Sequence, residues 1–275
     1  MKKPLSILGL SLLLGACGSE DKPAQATTAP SETPSTQNTG KTYLVVTENE
    51  SAPFIVRDEK GRVSGFEHDL LQAIAQKKGF NLDFISKTWD GMFASLESGE
   101  ADIITSNISV TPERQQKYNF VTPHFQSATY ALHTTNTAIT NWKDLANKQV
   151  AVQFDTLQQE LAGKYNINHT TYDTPYLALK AVFTGEQDVF IGDKGVIMHF
   201  HGKYPDSKID ALPDEGEPDM IAMAVKKDDT ALLDILNDGM KQIRADGTYD
   251  QIYTKWFGND VAATNNEISD ATEAK

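Results

Sequence analysis

Cysteine occurs once in the 275 residues, at Cys17, so no internal disulfide can form and stability must come from a packed core. The chain is also poor in positive charge. Its 25 Lys and Arg face 38 Asp and Glu, for a formal net charge of −13, and this balance excludes the basic footprint that a nucleic-acid partner needs. It equally excludes a polybasic attraction to anionic lipid. There is no phosphate-cradling glycine-rich loop, no serine elbow and no cysteine nucleophile. His68, His124, His133 and His169 are scattered, and His199 and His201 lack thiol or carboxylate partners at metal spacing, so neither a metal nor another cofactor is expected. His199 and His201 are expected on a helix surface.

What is present begins with "MKKPLSILGLSLLLGAC". Two lysines and an apolar run of about a dozen residues are too short to span a bilayer and have the layout of a secretory signal. "LGAC" resembles the lipobox of bacterial lipoproteins, which implies a signal peptide over 1–16 and a lipid on Cys17. Loss of Lys2 and Lys3 with the signal would take the charge from −13 to −15. Residues 17–40 follow with Ser, Thr, Pro, Ala and Gln but no large apolar anchor, so they read as a tether reaching on the order of 25 Å. The polar stretch 259–275 reads as a tail.

Between them, strand and helix patterns alternate. "YLVVT" (43–47), "LDFIS" and "ADIITS" are β-rich; "GFEHDLLQAIAQKKG" repeats Phe66, Leu70 and Ile74 at helical spacing and ends at Gly79; "WDGMFASLESG" is a short helix. The same order returns in "QVAVQ", a helix from about Thr156, "HTTYD", "PYLALKAVFTG" and "DVFIGD". Each half therefore predicts parallel strands with helical crossovers, giving two α/β lobes. One echo supports the division. Gly99 to Asn107 in "SGEADIITSN" matches Gly185 to Asp193 in "TGEQDVFIGD", with an acid two residues after the Gly-Glu pair in each. Gly-Glu-x-Asp before a strand is also simple turn chemistry. Ligands of open α/β sheets sit beyond the carboxyl ends of strands, where both polar endings fall.

Residues 43–258 resemble the polar amino-acid-binding proteins of bacterial ABC importers. The phrases that carry the resemblance are "APF", "GFEHDLLQAIA", "TWDGMFASLESGEADI", "SVTPERQQKYNFVTPH", "LKAVFTGEQDVFIGD", "MAVKKDD" and "IRADGTYDQIYTKWFG", in family order. The resemblance implies a type II periplasmic-binding-protein fold: two lobes, each a mostly parallel sheet flanked by helices, joined by two crossing hinge strands. The expected boundaries are lobe 1 over 41–131, lobe 2 over 132–221, and a return to lobe 1 over 222–258.

The resemblance also implies the site. Arg114 would clamp the α-carboxylate of a free amino acid, a task suited to a planar guanidinium fork, with Thr111 and Pro112 opening its helix. Ser106, Asn107 and Ser109 would line the first wall, and Asp193, which is also placed to cap the next helix, would meet the ammonium. Thr156 would offer its amide and hydroxyl at a helix N-terminus. Trp89 and Phe54 would border the ligand side chain or pack in the core, and Ser51 occupies a position where relatives commonly carry an aromatic. Asp155 replaces a common glycine and would repel an anionic ligand unless it points away. Glu48, with Glu50 beside it, would favour a basic or neutral polar solute. The implied partners are a small-molecule amino acid, an ABC permease with its ATPase, and a membrane held through lipid; the chain is expected to be monomeric, in the cell envelope, and not an enzyme. Two other readings of the same fold are a cyclohexadienyl dehydratase and an amino-acid-sensing lipoprotein.

Overall fold

In the computed structural model, residues 40–204 and 206–258 are described. The expected signal peptide, Cys17, the tether to residue 39 and the tail from 259 lie outside the described residues.

The first sheet grows around β1 (Thr42–Thr47), which buries Tyr43, Val45 and Val46. A small hairpin of β2 (Val56–Arg57) and β3 (Val63–Ser64) leads into α1 (Phe66–Lys78). The helix buries Phe66, Leu70, Leu71 and Ile74 on one face, with acids in its first turn and lysines in its last, as the peptide dipole favours. Next come β4 (Asn81–Ser86), α2 (Trp89–Ser98) and β5 (Ile103–Ile104), shorter than the six-residue strand expected there. After α3 (Pro112–Lys117) and β6 (Tyr118–Phe120), the chain crosses to the second lobe through β7 (Phe125–Ser127).

The second sheet comprises β8 (Thr129–Thr134), β9 (Val150–Gln153), β10 (His169–Tyr172), β11 (Val189–Asp193) and β12 (Ile209–Pro213). A 3-10 segment (Trp142–Asn147) precedes β9, and α4 (Leu157–Lys164), α5 (Pro175–Phe183) and α6 (Lys194–Lys203) flank the sheet. His199, half-buried, and His201, exposed, lie on α6. β13 (Asp219–Ile221) returns alongside β7, β14 (Ala224–Lys226) re-enters the first sheet, and α7 (Thr230–Ala245) and α8 (Thr248–Phe257) pack on α1. Because β8 already pairs in the second sheet from Thr129, the first crossing precedes the boundary expected at 131.

The two sheets have the same plan, β4-β1-β5-β14-β6 and β10-β9-β11-β8-β12. In each, the strand delivered by the crossing, β14 or β8, runs against the other four. β5 and β11 hold equivalent places, and the sequence echo falls on them. Gly99 and Gly185 both take left-handed backbone, with φ of 79° and 75°, which lets each helix turn sharply into its strand. The two matching aspartates then do the same work: Asp102 accepts the Leu44 N–H at 2.7 Å and Asp188 accepts the Gln149 N–H at 2.9 Å. Turn chemistry and internal symmetry are here one feature.

One hydrophobic cluster packs on each sheet, and a third runs continuously through the hinge, from Ile103 and Phe66 to Phe190 and Val196. At the hinge Phe54, Phe66, Phe125, Tyr253 and Phe257 pack ring against ring. This apolar seam holds the hinge while the polar ends of the strands meet in front of it.

Candidate functional site

The cleft between the sheets closes over a void of about 460 Å³, its open mouth included. Of the sequence-expected residues, Ser51, Trp89, Ser106, Asn107, Ser109, Arg114, Thr156 and Asp193 line it. Phe54 and Glu48 do not.

Arg114 stands in the first turn of α3. The Thr111 hydroxyl caps that turn by accepting the Arg114 N–H at 3.1 Å, and Pro112 supplies a φ suited to the first helical position. Its guanidinium lies over Trp89 and Phe93, 5.3 and 5.2 Å from the ring centroids. It donates from Nη1 to the Ser109 carbonyl at 3.2 Å and from Nη2 to the Asp155 carbonyl at 3.2 Å. Trp89 is both core and wall: it is 6% exposed, packs on Phe93, lines the cleft, and donates its indole N–H to the same Asp155 carbonyl at 2.9 Å.

Asp155 therefore enters through its backbone. Its φ is 56°, the left-handed region that explains why glycine suits the position and that Asp tolerates better than most residues. The residue is exposed and faces an outer groove with Glu113 and Glu160, away from the cleft lining. Thr156 caps α4 as expected, its hydroxyl accepting the Gln159 N–H at 3.4 Å and donating to the Gln153 carbonyl at 2.8 Å.

Asp193 closes the other wall. Its Oδ2 accepts from Asn107 Nδ2 at 2.8 Å across the cleft, so the two ends of the echo touch. The side chain stands at the N-cap position of α6 but makes no capping bond, leaving it for the cleft. Burial pushes its carboxyl up to about 7, against the lowering effect of the nearby Ser127 hydroxyl and the Asn107 amide. Oδ1 of Asp193 and Oδ1 of Asn107 are shielded from solvent without a partner of hydrogen-bond geometry. Asn107 is itself left-handed, with φ 57°, and its N–H is shared by both carboxylate oxygens of Glu67 at 3.1 Å. Glu67 is fully buried and also meets His124 Nε2 at 2.9 Å. Asp219 of β13 is raised to about 6 by burial, with Arg114 opposing.

Phe54, for which ligand contact and core packing were both open, is corrected to a core residue alone. It is fully buried among Phe66, Phe125 and Phe257, and a Cβ on Gly195 of α6 would come within 2.8 Å of its ring. Glu48 is 2% exposed; its Oε1 accepts from Gln153 Nε2 at 2.7 Å, and its N–H donates to Ser106 Oγ at 3.3 Å. Glu50 is exposed at the rim of a separate cavity with Tyr176 and His199. Sequence reading missed Gln153, Gln158, Pro175, Phe190 and Val196 in the lining, and the Glu67–His124 pair behind it. The place of Gln153 at a carboxyl strand end was a usable signal. The apolar wall had none, because its residues look like any core residues.

Two α/β lobes on one hinge, with one arginine and one aspartate on the walls of a closed cleft, define a two-lobed solute-binding protein of the type II periplasmic-binding-protein fold. Residues 43–259 match the model of the bacterial extracellular solute-binding proteins, family 3, and the chain belongs to that family. It is 36% identical over 217 residues to the amino-acid-binding protein AabA of Dichelobacter nodosus, covering 76% of this chain and 85% of that one. It is 32% identical over 257 residues to a probable histidine-binding protein of Neisseria gonorrhoeae, covering 91% and 92%. Among solved structures, the arginine-, lysine-, histidine-binding protein ArtJ of Geobacillus stearothermophilus is similar, with a TM-score of 0.75 and 30% identity over 79% of this chain and 96% of that one.

Proposed function

We propose that the chain binds one free polar L-amino acid in the interlobe cleft and delivers it to an ABC import permease, tethered to the envelope by lipid on Cys17. The observation that carries this reading is that Arg114 and Asp193 line one cleft between the lobes, accompanied by unpartnered acceptors. A zwitterion loses water from both of its charges on entry and needs both compensated. Arg114 fits the α-carboxylate; Asp193 and the Asn107 carbonyl fit the ammonium. The solute enters between lobes hinged at β7 and β13, and closure gives the permease a shape that separates filled from empty protein. Nothing in this cycle requires bond breaking, and the binding-protein relatives support a carrier rather than an enzyme.

The test is a thermal-shift and calorimetry panel of the mature Cys17→Ser chain against the L-amino acids, cystine and prephenate. A ligand of the folded state raises the melting temperature by mass action. One or a few polar amino acids are expected to do so, with no turnover of prephenate. Prephenate consumption, or a panel without any shift, sinks the proposal.

A further inference from the structure

Among the described residues that line the cleft, Arg114 and Asp193 are the only charged side chains. The α-groups of an amino acid use both, so a third charge on the solute would be buried without a counter-charge. An acid bonded directly to the lining, Glu48, could supply one, but it is covered. Gln153, at the end of β9 in the second lobe, lines the void and donates its Nε2 to Glu48 Oε1 at 2.7 Å across the interlobe gap; the same nitrogen lies 3.4 Å from the Asp173 carbonyl. Ser51 and Ser106 line the cleft beside it, and Ser106 holds the Glu48 backbone. Glu48 itself is 2% exposed, with Oε2 buried and unpartnered.

We propose that Gln153 is a specificity-determining residue: by capping the Glu48 carboxyl across the gap it turns an uncharged amide toward the solute and selects a neutral polar side chain over a cationic one. The inference rests on the amino-acid reading above and names its substrate class. Burial raises the Glu48 carboxyl to about 8, opposed by the Gln153 bond, so at neutral pH this end of the cleft carries little charge. A lysine or arginine side chain would have to displace the Gln153 amide and ionise Glu48 before gaining a charge-assisted bond. A neutral polar side chain needs neither step. Trp89, Leu157, Pro175, Phe190 and Val196 add apolar wall that accepts the body of such a side chain.

Calorimetry of the mature Cys17→Ser chain with L-glutamine, L-cystine, L-histidine at about pH 8, L-arginine and L-lysine tests this. A neutral ligand is expected to bind at least about tenfold more tightly than either cation. Gln153→Leu should uncover Glu48 and move that ratio about tenfold or more toward arginine or lysine, and adding Glu48→Gln should cancel the gain. Gln153→Met gives the same comparison if the leucine variant melts early. Tightest binding of arginine or lysine by the parent chain, lost on Glu48→Gln, overturns the proposal, as does an unchanged ratio in a folded Gln153 variant. Absence of binding by every amino acid overturns instead the reading on which it rests.

Discussion

Arg114 is held by groups that a solute need not disturb: the Ser109 and Asp155 carbonyls, and the rings of Trp89 and Phe93. Its fork is thus pre-set before a carboxylate arrives, which lowers the entropic cost of binding. Arg114→Ala should cost about 2–5 kcal/mol of affinity by calorimetry, because the ligand carboxylate stays buried without its partner. Arg114→Lys should recover only part, since an ammonium cannot reproduce the planar fork. Affinity unchanged in the alanine variant would remove the carboxylate role. At this scale the sequence was most legible where one residue type suits one task. Arg114, Asn107 and Asp193 were located by motif and echo. Phe54 stayed open between pocket and core because an aromatic near a cleft and an aromatic under it look alike until the hinge brings Phe125 and Phe257 against it. Glu67 and His124, fifty-seven residues apart, could be paired only in space.

Among the elements, α3 has the least support of its own, with six residues and none buried. So short a helix depends on its cap, and the capped amide is that of Arg114. Thr111→Ala is expected to lower stability by about 1 kcal/mol in urea unfolding. It should also weaken ligand binding a few-fold, because the base of the guanidinium arm loses its anchor. A stability loss with unchanged affinity would show that the carbonyl contacts of Arg114 position it without the cap. Helix positions were legible from their caps and periodicity: Gly79 and Gly99 at C-termini, Thr111 and Thr156 at N-termini. β5 was overread, since only Ile103 and Ile104 keep ladder geometry before the chain bends toward Asn107.

For the molecule as a whole, closure brings the buried carboxyls into play. In an open, solvated cleft Asp193, Glu48 and Asp219 would titrate near about 4; in the closed form they are raised to about 7, 8 and 6. Between those limits the closed form binds more protons than the open one, so closing weakens as pH rises. Arg114 opposes this at Asp219 and Gln153 at Glu48 without reversing it. Small-angle scattering of ligand-free protein should give a larger radius of gyration at about pH 8 than at about pH 5. Bound amino acid should narrow the difference, since its ammonium favours ionised Asp193. Superimposable ligand-free curves at the two pH values would refute the coupling.

The sequence by itself determined the alternating elements and the two-lobe division, because these follow from local periodicity, capping and spacing; the charged pair was legible only through the family resemblance of its motifs. The tertiary structure decided what those residues face. It gave the Asp155 carbonyl to Trp89 and Arg114, withdrew Phe54 into the hinge, and covered Glu48 with Gln153. The contacts of Asp155 and Glu48 join residues 41 to 105 positions apart where the chain crossings bring the two sheets together, and that of Phe54 with Phe257 joins residues 203 positions apart where the returning chain packs at the hinge.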